Sequence, residues 1–224
     1  MKNKVSCENC NSENDFFKLN CDSCGSLFRD KFPNIDLFST IWQLIESPTN
    51  AIKKIIFAEH KNYQLFILVL VLIKLTFTSF FLQSIFIEPV NYQQYFGLNF
   101  GIGLSALFVL FLTIPFIMRL ILKSFFIKTR YKDNLAVLIY SQIPIVLFLV
   151  IILPLEFALF GKYWLFSNPS PFIIKETAAY VFSCMELLAF IWSFVLFGIA
   201  IKIQSSSKPF AIISTSVFVI AIFS

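Results

Sequence analysis

Apolar and polar positions divide the chain into three stretches. Residues 1–30 are polar and carry cysteines, residues 31–63 show apolar positions at helical spacing, and residues 64–224 are dominated by long apolar runs. In the middle stretch Leu37, Phe38, Ile41, Trp42, Leu44 and Ile45 recur at helical spacing, with Gln43 and Glu46 off that face. Ser47-Pro48 follows as an N-cap with a proline at the first helical position, and Ala51, Ile52, Ile55 and Ile56 then form a second stripe beside Lys53 and Lys54. The pattern predicts two short amphipathic helices lying along a membrane interface, with Trp42 at headgroup level. A spanning helix needs about 20 mainly apolar residues. Five runs approach this, near 64–87, 103–126, 135–155, 178–201 and 209–224. The last, opening at Pro209, would cover only about 24 Å against a hydrocarbon core of about 30 Å.

Composition agrees with this division. The chain is 58% hydrophobic and 14% charged, with a mean hydropathy of +0.78; a soluble domain is nearer 45–50% apolar. Its 30 Phe residues read as lipid-facing bulk. The net charge of +5 is spread over the ends of the apolar runs and forms no basic face, so it reports topology and not nucleic-acid binding. Eight Lys and Arg lie between Lys2 and Lys61 and none between 88 and 102. Arg119, Lys123, Lys128, Arg130 and Lys132 gather in the next turn. The connection near 156–177 holds only Lys162 and Lys175, offset by Glu156 and Glu176, and Lys202 and Lys208 flank the last turn. Because Lys/Arg-rich short loops stay cytoplasmic, the N-terminus is expected inside a multi-pass protein of the cytoplasmic (inner) membrane. Met1-Lys2-Asn3-Lys4 leads into polar sequence without an apolar core, so no cleavable signal peptide is expected.

The strongest chemical signal is Cys7-Glu8-Asn9-Cys10 with Cys21-Asp22-Ser23-Cys24, two C-x2-C pairs with Gly25 after the second. Each pair sits in a turn that aims both thiolates at one point, and two such turns complete the tetrahedral S4 cage of a structural Zn2+. A reducing cytoplasm weighs against disulfides, and no βαβ context supports a redox motif. Iron and redox-active thiols are the competing readings. The expected fold is thus an all-α polytopic membrane protein of about five transmembrane helices with a small N-terminal zinc ribbon or knuckle. Cys184, alone in the fourth helix, reads as a buried, inert thiol.

Lys74 falls near the middle of the first helix and Glu186 at similar depth in the fourth, which suits a buried ion pair or a polar path, or equally a snorkelling Lys74 with Glu186 meeting water near the outer face. Tyr140, Ser141, Gln142 and Pro144 make a polar, kinked patch in the third helix, and Pro115 is expected to kink the second. Gln142 joins Lys74 and Glu186 as a possible intramembrane polar site. The Ser167-Asn168-Pro169-Ser170-Pro171 segment reads as a surface loop, with Tyr163 and Trp164 at the outer interface. His60, the single histidine, has no partners with which to build a catalytic set, so no enzymatic activity is expected.

Over about 36–224 the layout resembles bacterial members of the Yip (Ypt-interacting protein) family, five-span membrane proteins that often carry an N-terminal zinc ribbon. The points of likeness are Pro48, Tyr140-Ser141-Gln142-Ile143-Pro144, the Trp192 to Lys202 run, and Lys208-Pro209-Phe210-Ala211. Eukaryotic relatives are linked to small-GTPase binding and vesicle traffic, but their Asp-Leu-Tyr-Gly-Pro and Gly-Tyr motifs have no counterpart here, so that role is not carried over. An uncharacterised bacterial family joining a Cys-rich knuckle to a Pro-containing juxtamembrane helix is a second resemblance. The expected function is a non-enzymatic membrane scaffold or adaptor whose knuckle docks a protein partner at the cytoplasmic face. The alternative is a small-solute or ion transporter, or its accessory subunit, using Lys74 and Glu186.

Overall fold

The computed structural model describes residues 4–15, 18–28, 34–58, 60–86, 96–166 and 169–223, with side chains in the membrane helices to 83 in the first and to 217 in the last. Ser167, Asn168 and most of the expected 88–102 connection lie outside the described residues. The chain divides into two compact units. The first comprises Met1–Gln64, Phe111–Ser141 and Phe194–Ser224, and the second Leu65–Leu110 and Gln142–Ser193.

The first unit opens with an antiparallel hairpin, β1 (Lys4–Ser6) on β2 (Glu13–Asp15), in the register Val5 opposite Asn14. Two short helices follow, α1 (Leu37–Glu46) and α2 (Pro48–Phe57). Asp36 caps α1 by accepting from the Ser39 N–H at 3.2 Å, satisfying one of the orphan donors of its first turn. Ser47 differs from expectation. Its side chain makes no capping bond to α2; its backbone N–H instead closes α1 on the Gln43 carbonyl, while Pro48 does hold the first turn of α2.

The two apolar stripes have different fates. Ala51, Ile52, Ile55 and Ile56 of α2 are all buried against α5 (Tyr131–Ser141), so this stripe faces protein rather than lipid. On α1, Leu44 is buried, but Phe38 is 83% and Trp42 67% exposed, leaving an open apolar face. The carboxyl end of α2 is tied down by Lys61. Its ammonium donates to the Ile55 and Ile56 carbonyls and lies 3.4 Å from the buried Asp133 carboxylate of α5, placing a cation at a helix C-terminus. The Tyr140 hydroxyl donates to the Asn62 carbonyl, and His60 bridges Asn34 through the backbone. His60 and the Tyr140-Ser141 pair are thereby accounted for as packing, Ser141 donating to Leu138 O at 2.7 Å.

Among the described residues, four helical stretches are long and apolar enough to cross a membrane. They are α3, described to its end at Phe86 (Gln64–Phe86), α4 (Phe96–Ser124), the α5–α6 stretch Tyr131–Phe160, and α9 (Glu176–Ser205). A final helix, α10 (Lys208–Phe223), is as short as expected at 16 residues. α4 runs unbroken through Pro115, and the turns around that proline receive side-chain donors from α5. Tyr131 donates to the Leu112 carbonyl at 3.0 Å and Asn134 to the Pro115 carbonyl at 3.5 Å. The third stretch does break, at Gln142, because Pro144 has no N–H to donate to the Tyr140 carbonyl. The chain resumes as α6 (Ile143–Phe160), five residues longer than the apolar run ending at 155. Exposed apolar side chains along the spans, such as Leu98, Val109 and Ile117 of α4, are the surface a bilayer would cover.

In the first unit α10 packs close to α9 at Gly198, where an added Cβ would lie 3.3 Å from Thr215 Oγ1. Small residues permit such approach between membrane helices. Gly198→Leu is therefore expected to cost about 1–3 kcal/mol through overpacking. Detergent-phase thermal unfolding checks this, and an unchanged midpoint would mean that the α9–α10 contact contributes nothing to stability.

Candidate functional site

Two clusters hold the side chains capable of chemistry. The first is built by the hairpin and by the turn that follows it. Cys7 and Cys10 occupy one turn, in which the Asn11 N–H donates to the Cys7 carbonyl and the Cys7 N–H to Ser12 O. The second turn repeats the scheme: the Gly25 N–H donates to Cys21 O and the Cys21 N–H to Ser26 O. Asn11 and Gly25 both take left-handed backbone angles, φ 55° and 71°, which Asn and Gly adopt most readily. The two knuckles are thus one structural unit used twice, C-x2-C-(Asn/Gly)-Ser, a duplication too short to register as a periodic repeat.

The four Sγ atoms lie within 4.8 Å of one another, with Cys7–Cys24 at 3.6 Å and Cys10–Cys21 at 3.5 Å. A tetrahedron with 2.3 Å metal–sulfur bonds has edges of about 3.8 Å, so the cluster fits a closed S4 metal site. The surroundings favour thiolate at Cys21 and Cys24, while at Cys10 the pull of Ser12 is outweighed by desolvation and by the neighbours Cys21 and Cys24, which push the thiol up. Ser12 Oγ sits 3.1 Å from Cys21 Sγ and 3.0 Å from Cys10 Sγ, and Ser26 Oγ lies 3.1 Å from both Cys24 and Cys7. The Ser12 hydroxyl is the main reason the Cys21 thiol is pulled down to about 5, and Ser26 lowers Cys24 in the same way. Asn14, missed by the sequence reading, organises the site from β2. Its amide donates to Ser12 O and toward Cys21 Sγ, and its carbonyl oxygen accepts the Asp22 N–H at 2.9 Å. Buried Asn two residues beyond a ligand-turn serine was the available signal, and polar residues in a polar segment obscured it.

The second cluster lies in the second unit. The Lys74 ammonium of α3 contacts Glu186 Oε1 of α9 directly and lies 4.0 Å from Glu156 Oε2 of α6. Lys74 is 2% exposed and Glu156 fully buried. Glu156 corrects the sequence reading, which assigned it to an outer connection. Because α6 continues through Phe157 to Phe160, its carboxylate is carried inside the helical bundle. Gln142, also buried, sits at the α5–α6 break roughly four turns, or about 20 Å, before Glu156, and so belongs to a different level of α6.

One to two turns beyond this trio lies an aromatic layer. Phe81 stacks on Trp164 at 4.5 Å and Phe160 meets it at 5.1 Å, with Phe77 and Phe182 packed alongside. Trp164 belongs to a short helix, α7 (Tyr163–Phe166), and is 3% exposed, so it is a core residue and not an interfacial one. Its burial follows from three rings converging where α3, α6 and α9 close together. Cys184 is likewise corrected: it is exposed on α9. A third feature is an apolar groove of about 240 Å³ lined by Met118, Phe125, Phe197 and Phe210, with Ser214 its one polar side chain. It offers no group for acid–base or nucleophilic work.

No curated protein and no solved structure matches the chain. A family model described as the Yip1 domain matches residues 42–224, which takes in everything from the middle of α1 to the end and leaves the cysteine cluster outside. The chain therefore belongs to the Yip1 domain family of helical membrane proteins.

Proposed function

We propose that this protein is a non-enzymatic membrane scaffold whose N-terminal cysteine cluster holds a structural Zn2+ and docks a protein partner at the cytoplasmic face of a bacterial-type cytoplasmic membrane. The observation that carries this reading is the closed four-thiolate geometry. All four positions of a tetrahedral ion would be filled by protein, leaving none for a substrate, so the metal would shape a surface rather than perform a reaction. That surface is small and joined to a membrane domain, with Leu19, Leu27 and the open face of α1 exposed near one another in sequence. The Lys and Arg alternation supports a cytoplasmic N-terminus.

Metal content and cross-linked partners of the solubilised full-length protein, beside the Cys21→Ser, Cys24→Ser variant, test this. About one zinc per chain in the wild type, with a partner lost in the variant, is the expected result. Retention of every partner by a zinc-free variant would overturn the docking role, and a metal-free wild type would overturn the zinc. The Lys74–Glu156–Glu186 cluster favours a second reading, a transporter or transport accessory, because uncompensated charge within a membrane domain marks ion and proton paths more often than packing.

A further inference from the structure

We propose that Lys74, Glu156 and Glu186 form a proton-binding site inside the membrane domain, with Glu156 the carboxyl group that takes up and releases the proton. The inference shares its residues with the transport reading but requires only binding. Its basis is a charge imbalance combined with a poorly satisfied buried group. One ammonium faces two carboxylates, and the ammonium is committed to Glu186, which it contacts directly. Glu156 stands 4.0 Å from the same nitrogen, and although the side chain is fully buried neither of its oxygens makes a hydrogen bond of good geometry, the Glu186 carboxyl and the Trp164 indole being its near polar neighbours. An ionised carboxylate so placed would carry an uncompensated charge in a low-dielectric interior, which is among the costliest arrangements a protein interior can hold.

The groups that act on Glu156 are few. Lys74 from α3 and Glu186 from α9 are the charged ones, and α7 contributes the uncharged indole of Trp164. No second cation among them balances the second carboxylate. A proton is the smallest charge that does. The aromatic layer of Phe81, Phe160 and Trp164 closes the cluster on the side of the α6–α9 connection. Glu186, at 12% side-chain exposure against 3% for Lys74 and none for Glu156, is the least enclosed member of the cluster. Protons would then reach Glu156 past the Lys74–Glu186 pair. The step is a simple transfer: the carboxylate oxygen gains a proton from solvent, its charge is neutralised, and no electrons move.

Infrared difference spectroscopy on the full-length protein in lipid nanodiscs tests the site through the C=O stretch of a protonated carboxylic acid. Wild type at neutral pH is expected to show this band, with or without Na+, and to shift it in D2O as the proton exchanges. Glu156→Gln, which keeps shape and neutrality, is expected to fold and to lose the band. Glu186→Gln is expected to lose it too, because Lys74 is then released to Glu156. Absence of the wild-type band, its persistence in either variant, or failure to shift in D2O would each overturn the proposal. A band seen only after Na+ withdrawal would overturn it in favour of a metal cation. Should Glu156→Gln fail to fold, the wild-type D2O shift and Glu186→Gln still decide. The transport reading fails separately, if proton-coupled uptake into proteoliposomes is the same in wild type and Glu156→Gln while the band behaves as stated.

Discussion

Replacing Lys74 by leucine is expected to destabilise the membrane domain by about 3–5 kcal/mol, the cost of removing one partner from a buried charge pair. The reason is not the loss of one attraction but what remains. Glu186 and Glu156 would face each other without a cation, each desolvated by apolar helices. Glu186→Leu should cost less, because the ammonium can turn to Glu156, which already lies 4.0 Å away. The double change removes charge and countercharge together, and it should be less harmful than the sum of the two single changes. Unfolding of the three variants in mixed micelles, treated as a double-mutant cycle, measures this coupling. Additive effects, or a Glu186→Leu cost equal to that of Lys74→Leu, would sink the idea that Lys74 holds the cluster together.

That prediction was half visible in the sequence, and the half that was hidden is instructive. Lys74 and Glu186 could be placed at one depth by counting residues along two apolar runs, since a helix rises a fixed 1.5 Å per residue. Glu156 could not. An ionisable residue at the edge of an apolar run is ordinarily a sign that the run has ended, and here the helix continues another turn because Trp164 and the Phe layer bury it. Tertiary packing overrode the local signal. Trp164 was misplaced for the same reason: an amphipathic ring near a span end suits the interface equally well when no neighbours are known. The open face of α1 and the buried stripe of α2 look alike as sequence, and the packing of α2 against α1 and α5 distinguishes them. The cysteine turns were legible because their geometry is local. Two residues between ligands, a left-handed residue after them and a serine next determine the turn without reference to the remainder of the chain.

That locality makes the knuckle's dependence on metal the larger of the two expected effects. The described residues 4–15 and 18–28 hold a hairpin of two three-residue strands and two turns, and among them Cys7, Cys21 and Asn14 are the buried side chains. A segment this short cannot bury enough apolar surface to offset the entropy of ordering it, and domains of this size usually need a metal or disulfides to fold. With the four thiols close but unbonded, a strong chelator is expected to unfold the segment completely, while the helices beyond α1 keep their circular dichroism. Acid should act in the same direction. The Cys21 thiol, held down to about 5 chiefly by the Ser12 hydroxyl, contributes stability that is fully present above the ordinary thiol range and is lost as pH falls through about 5. Acid should also release the metal, since protonated thiols do not ligate. Ser12→Ala, which removes the hydroxyl shared by Cys10 and Cys21, should therefore release a bound metal ion at a higher pH than the wild type. Amide exchange of residues 4–28 with and without chelator reads the outcome directly. Unchanged protection in the metal-stripped protein would mean that the two turns stand without an ion, and the S4 cage would then be a consequence of the hairpin rather than the source of its stability.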